Sequence, residues 1–213
     1  MKIRVLIADD HAIMREGLHA LLAAAPDITV VGEVENGREA VERTRELVPD
    51  VIVMDISMPG LNGIEAARLI HDKFPNTRIV LLSMHSSSEH VHRGLAAGAM
   101  GYIMKESAGA EVITAVRSVV QGRRYLSAAI AENFREYPPD GAGRGPLDRL
   151  STRERQVLQL VVEGRSSVEI GQLVHLSPKT VDTYRSRLMK KLAVADVPAL
   201  VKFALQHGLT PPQ

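Results

Sequence analysis

The sequence predicts an α/β fold: a doubly wound parallel sheet built from five strand–helix units, followed by a small all-α domain. Three observations carry this reading. Short apolar runs without polar alternation recur between helix-period stretches through residues 1–122, and strands of that kind are covered on both faces. A Pro- and Gly-rich stretch then interrupts the pattern. Beyond it only short helical segments remain, each opened by a capping signal.

IRVLIA (3–8) is the first apolar run, and HAIMREGLHALLAAA (11–25) then repeats apolar residues every three or four positions. ITVVGEV (28–34) returns to strand character and GREAVERTREL (37–47) is a charged amphipathic helix. VIVM (51–54) precedes GIEAARLIHDKF (63–74), and RIVLL (78–82) precedes EHVHRGLAAG (89–98). AMGYIM (99–104) and AEVITAVRSVVQG (110–122) complete the set. Right-handed crossovers leave few topologies for such a chain.

From Gly122 to Pro146 the pattern dissolves, ending in YPPDGAGRGP, which reads as a flexible tether. Its GAGRG has no strand before it and no helix after it, so it is not a dinucleotide loop. The expected division is 1–122, a linker over 123–146, and a second domain over 147–213. In that last part Ser151 and Glu154 have capping-box spacing, as do Ser166 and Glu169. Ser177-Pro178 opens KTVDTYRSRLMKKL, and Asp196 with Pro198 opens a last helix through ALVKFALQHG.

Composition narrows the function classes. Cysteine is absent among the 213 residues, which excludes disulfides and thiolate metal sites. MKIRVLIADDHAIM meets two acids by residue 10, unlike a signal peptide, and no run approaches the roughly 18 apolar residues of a membrane span. A soluble cytoplasmic protein is expected. The net charge of +1 hides an asymmetry. Residues 1–121 carry 12 Lys+Arg against 16 Asp+Glu, and residues 145–213 carry 10 against 6. A basic C-terminal part favours an anionic polymer as partner.

Ligands of a doubly wound sheet collect beyond the carboxyl ends of its strands. Those ends supply Asp9 and Asp10 after the first strand, Asp55 after the third, Ser83 after the fourth and Lys105 after the fifth. Singly, each has a plainer role: a helix start, a turn, a solvated lysine. Together at one rim they indicate a shared site. Three close carboxylates repel one another unless a cation neutralises them, and oxygen donors suit Mg²⁺. One carboxylate can then attack a phosphoryl donor and become an acyl phosphate, with Lys105 and Ser83 meeting the phosphoryl oxygens. His85, Glu89, His90 and His92 lie in a polar loop and helix start without a second cluster to complete a metal shell, and read as a solvated face.

Asp9-Asp10, Asp55 with MPGLNG, Ser83, and GYIMK with Lys105 closely resemble the receiver domain of two-component response regulators. The resemblance implies a flavodoxin-like (βα)5 fold with Asp55 as phospho-acceptor and Asp10 as a direct Mg²⁺ ligand. It implies Asp9 acting on the metal mainly through water and the Ser57 carbonyl as a further ligand. Ser83 and Tyr102 match a hydroxyl–aromatic switch pair, whose ring turns inward when the hydroxyl moves toward the phosphoryl group; ordinary sheet-edge packing is the alternative for Tyr102. One residue departs from the pattern: Glu106 follows Lys105 where many receivers have Pro, and a non-proline bond there prefers trans.

LSTRERQVLQLVVEGRSSVEIGQLVHLSPKTVDTYRSRLMKKL (150–192) resembles the LuxR-type DNA-binding domain, with two short helices joined at HLSP. The whole chain thus resembles the NarL/FixJ family. Val181, Leu188 and Leu192 recur at helical spacing and should face the core. By family position Asp182, Thr183 and Ser186 should face base edges, and Lys179, Thr180, Tyr184 and Arg187 phosphates or mixed contacts. Lys190 and Lys191 remain available to DNA. An Asp facing bases can accept from cytosine N4. The resemblance implies a sensor histidine kinase, double-stranded DNA and a homodimer as partners. Leu200 and Phe203 are candidate dimer contacts, the alternative being packing within the domain. Signalling rather than turnover of a substrate is expected. A Mg²⁺-dependent phosphohydrolase would place its Asp nucleophile after the first strand with a second Asp two residues on, whereas Asp55 follows the third.

Overall fold

The computed structural model describes residues 2–84, 86, 88–132, 146–207 and 209. Residues 133–145, which are most of the expected linker, lie outside them, as do His85 and the Glu89 side chain. The chain forms two compact units, Met1–Arg135 and Glu136–Gln213.

The first unit alternates β1 (Ile3–Ala8), α1 (Ala12–Ala24), β2 (Ile28–Val34), α2 (Gly37–Leu47), β3 (Val51–Asp55) and α3 (Gly63–Lys73). It continues through β4 (Arg78–Ser83), α4 (Ser88–Ala96), β5 (Gly101–Met104) and α5 (Ala108–Val120). With a short last strand, β6 (Tyr125–Leu126), the sheet is parallel throughout in the order β2-β1-β3-β4-β5-β6. The apolar strands lack alternation because both faces are buried. Val5, Ile7, Val51 and Val53 enter one core with Leu18 and Leu22 of α1 and Val112 and Val116 of α5. Leu6, Ala8, Ile52 and Met54 enter the other, beneath α2, α3 and α4.

The sixth strand corrects the expected linker. β6 (Tyr125–Leu126) extends the sheet beside β5 and α6 (Ala128–Ala131) follows it, so regular structure continues into the stretch expected as linker. A two-residue strand offers no periodicity to detect. In the linker's last position, Pro146 opens a 3₁₀ turn, Pro146–Arg149.

The second unit holds α7 (Thr152–Val162), α8 (Ser167–Val174), α9 (Pro178–Leu192) and α10 (Val197–Gln206). Both expected capping boxes form: Ser151 with Glu154 and Ser166 with Glu169 each bond reciprocally. Ser177 caps α9 on Thr180 N–H and Asp196 caps α10 on Ala199 N–H. Val181, Leu188 and Leu192 enter the core as their spacing predicts. Leu200 is fully buried in that core, which removes it from the candidate dimer surface, while Phe203 is half-buried against it. No helix among the described residues is long and apolar enough to cross a membrane.

Candidate functional site

Strand order reverses between β1 and β3, whose following loops lead to helices on opposite faces and leave a crevice at the carboxyl edge. Asp9 and Asp10 follow β1 there, and Asp55 ends β3. The Lys105 ammonium lies 3.1 Å from Asp9 Oδ2 and 2.9 Å from Asp55 Oδ2. Asp9 and Asp55 are buried, and Lys105 is only 9% exposed at its side chain. The bond after Lys105 is trans, as Glu106 predicts, and Lys105–Ser107 forms a 3₁₀ turn.

Asp9 has a second constraint, since Oδ1 accepts from the His11 backbone N–H at 2.9 Å. The His11 ring places Nδ1 2.8 Å from Asp10 Oδ1 and 3.3 Å from Asp9 Oδ1. Ligand atoms from Asp9, Asp10, His11 and Asp55 all lie within 4.8 Å of one another. One lysine does not neutralise three carboxylates, and this oxygen-rich set fits a hard divalent ion such as Mg²⁺. His11 was missed from sequence; its signal was adjacency to the acidic pair.

Burial pushes the Asp55 carboxyl above its ordinary range. Lys105 pulls it back by charge and hydrogen bond, Asp9 pushes it further up, and the Ser57 backbone N–H donates to it. Ser57 is thus at the site through its amide. Burial by itself would lower the Lys105 pKa, but Asp55 and Asp9 outweigh that and hold it raised. The folded protein therefore binds Asp55's proton more tightly than the unfolded chain. This group's contribution to stability falls as pH rises from the ordinary carboxylate value toward its raised folded value. Asp55→Asn should consequently raise stability without divalent ions, and more at neutral pH than in acid. Urea denaturation in EDTA at pH 4 and pH 7 checks this; a gain no larger at pH 7 than at pH 4 would contradict it.

Ser83 and Tyr102 are brought together, the two side chains being hydrogen-bonded. Tyr102 is fully buried, and burial above all pushes its hydroxyl up to about 12. The ring already faces inward here, flanked by Gly94 of α4. A Cβ at Gly94 would sit 3.3 Å from two ring carbons and 2.8 Å from Leu81 Cδ1. Sheet-edge packing does not describe Tyr102, because β5 is paired on both sides. His90, expected on a solvated face, is buried at 7% exposure, as is Arg93 at 4%. α4 thus turns more polar residues inward than the histidine spacing indicates.

In the second unit α8 and α9 form the helix-turn-helix. Lys179, Asp182, Thr183, Ser186, Arg187 and Lys190 are exposed on α9, while Thr180 and Tyr184 are half-buried. Thr183 and Ser186 hydroxyls donate to the carbonyls of Lys179 and Asp182, each at 3.0 Å. Asp182 Oδ1 accepts from Ser167 Oγ at 2.6 Å, and Arg185 Nη1 donates to the same hydroxyl at 2.9 Å. Lys191, expected to be available to DNA, instead holds Glu154 at 2.7 Å and so ties the end of α9 to the α7 capping box. Burial favours protonated Glu154, but Lys191 and Ser151 outweigh it and keep its pKa low.

Comparison with known proteins agrees with both units. Residues 5–117 match the response regulator receiver domain, and residues 148–204 match the luxR family of bacterial regulatory proteins. The chain is 37% identical over 209 residues to the response regulator GacA of Pseudomonas viridiflava, covering 97% of each. It is equally identical to the response regulator UvrY of Escherichia coli K12, covering 97% of this chain and 95% of that one. Among solved structures, the two-component response regulator RcsB in complex with DNA superimposes with a TM-score of 0.60 at 26% identity, covering 98% of this chain and all of that one.

Proposed function

Because the chain belongs to the NarL/FixJ family of two-component response regulators, we propose that Asp55 accepts a phosphoryl group and that this controls sequence-specific DNA binding by α9. The observation that carries the reading is Lys105, held between two buried carboxylates at 2.9 and 3.1 Å. The pocket is built to present a carboxylate nucleophile and a fixed cation to one incoming group.

In this reading an Asp55 carboxylate oxygen attacks the phosphorus of a sensor histidine kinase's phosphohistidine, or of a small acyl phosphate, and the donor's nitrogen or oxygen leaves. Asp55 acts only when ionised, and Lys105 favours that form against burial. As the phosphoryl group arrives, Lys105 exchanges a carboxylate partner for a phosphoryl oxygen, and Ser83 donates to another. Asp10, Asp55, the Ser57 carbonyl and, mainly through water, Asp9 would hold Mg²⁺, which when bound would neutralise charge on the transferring group. Ser83 turning toward the phosphoryl group releases its hydrogen bond to Tyr102, which alters the surface formed by α4 and β5.

The output is DNA binding in the cytoplasm as a homodimer on paired half-sites, with the half-buried Phe203 retained as a dimer contact. Asp182, Thr183 and Ser186 face bases; Lys179, Thr180, Tyr184, Arg187 and Lys190 meet phosphates or make mixed contacts. Residues 1–131 form the receiver and 147–213 the DNA-binding domain, joined by the Pro/Gly-rich tether. Arg187→Ala should weaken binding to all sequences and reduce the salt slope by about one; unchanged affinity and slope would remove Arg187 from the interface.

The decisive experiment uses DNA recovered from a random-sequence library by the wild type. Wild type and Asp55→Ala are titrated against it with and without Mg²⁺ and acetyl phosphate. Tighter binding by the phosphorylated wild type alone is expected. Equal binding in every arm would overturn the switch.

A further inference from the structure

β6 docks on the strand that carries Tyr102 and leads into Lys105. Tyr125 N–H donates to Met100 O at 2.9 Å and Ser127 N–H to Tyr102 O at 3.0 Å. The next rung of a parallel ladder would bring the Ser127 carbonyl to Met104 N–H. That carbonyl has turned into α6, where it accepts from the Ile130 and Ala131 N–H groups at 2.9 Å each. The Ser127 hydroxyl takes its place and accepts from Met104 N–H at 3.1 Å. One side chain therefore lets the chain leave the sheet while the sheet's last rung stays closed.

The hydroxyl is itself held. It donates to Glu111 Oε2 at 2.7 Å, and Tyr125 OH donates to the same oxygen at 3.1 Å. Ser107 Oγ reaches both Ser127 Oγ at 3.1 Å and Met104 O at 3.2 Å. Ser127 is 1% exposed, and Ile130 of α6 is buried in the same core as Tyr102 and Met104. Both backbone groups of Met104, the residue before Lys105, are thus fixed by a serine. One of those serines lies in the segment leading toward the tether.

We propose that residues 125–131 are a strap docked on β5 that couples the phosphoryl pocket to the chain entering the tether, with Ser127 as the positioning residue for Lys105. The proposal rests on Asp55 phosphorylation. Coupling of this kind is reciprocal: what moves the end of β5 loosens or tightens the strap, and what undocks the strap displaces Lys105.

The test uses the full chain as wild type, Ser127→Ala and Ser127→Thr, with acetyl phosphate and Mg²⁺. Intact mass reads phosphorylation, and hydrogen exchange reads peptides covering 100–106 and 123–132. Ser127→Ala should raise exchange at the Met104 amide about tenfold, since its acceptor is gone. It should slow phosphorylation about tenfold, since Lys105 is misplaced. Ser127→Thr, which keeps the hydroxyl, should restore both. Independently of any variant, phosphorylated wild type should exchange differently over 123–132 than the unphosphorylated protein. Unchanged exchange there in protein that carries the phosphoryl mass increment would overturn the strap, as would wild-type phosphorylation and exchange in Ser127→Ala. Absence of that increment from the wild type would overturn the Asp55 reading and the strap with it.

Discussion

Lys105→Met is expected to lower the rate of phosphorylation by acetyl phosphate about a hundredfold or more, because it removes a buried cation that reaches both buried carboxylates. It should also destabilise the first unit by about 3 kcal/mol in EDTA, the cost of stranding buried charge when one partner of an ion pair is deleted. Two dependences identify the cause. Added Mg²⁺ should recover much of the lost stability, because the emptied pocket has become more negative. Lowering the pH should shrink the loss too, because Asp55, already displaced upward by burial, then takes up a proton. Urea denaturation across pH with and without Mg²⁺ measures both. A loss independent of pH and Mg²⁺ would mean that Lys105 is held for packing alone.

Gly63→Ala should be the most disruptive substitution near the site. A Cβ there would stand 2.0 Å from the Asp55 carbonyl oxygen and 2.9 Å from Ile56 Cα, and backbone cannot yield as a flexible side chain can. Gly63 N–H also donates to Ile56 O at 2.9 Å, so the start of α3 is fastened to the end of β3 by contact and hydrogen bond together. A loss of about 3 kcal/mol or more follows, with Asp55 displaced and phosphorylation impaired. Gly60 is the control. Its φ of +72° favours glycine, but nothing lies within 4 Å of its Cβ position, so Gly60→Ala should cost about 1–2 kcal/mol. Thermal unfolding of the two variants ranks them, and a larger loss at Gly60 would refute the close-approach argument.

Much of this was legible in the chain before its fold. Unalternated runs such as VIVM mark buried parallel strands because burial on both faces leaves no place for a polar residue. The capping boxes at Ser151 and Ser166 are local chemistry, complete within four residues, and they form as read. The acidic cluster could be assembled because strand ends of one sheet share a rim. What escaped was tertiary. Lys191 has a free lysine's sequence context, and only the fold brings Glu154 to it across 37 residues. Leu200 lies on α10 among Val197, Val201, Phe203 and Ala204, where apolar residues on several sides hide which one faces inward. Tyr125 and Leu126 are too few to show a period, and Ser127 gives no local sign that its hydroxyl completes a ladder.

The brevity of β6 also governs how this protein can associate with itself. Beyond β5, among the described residues, the sheet offers a newcomer only Tyr125 and Leu126 before the backbone turns into α6. Two residues are too short a template for strand addition. On that side the sheet is protected against edge-to-edge aggregation, so copies meeting there would join through side chains and not by strand addition. Such contacts can be made and released without unzipping backbone.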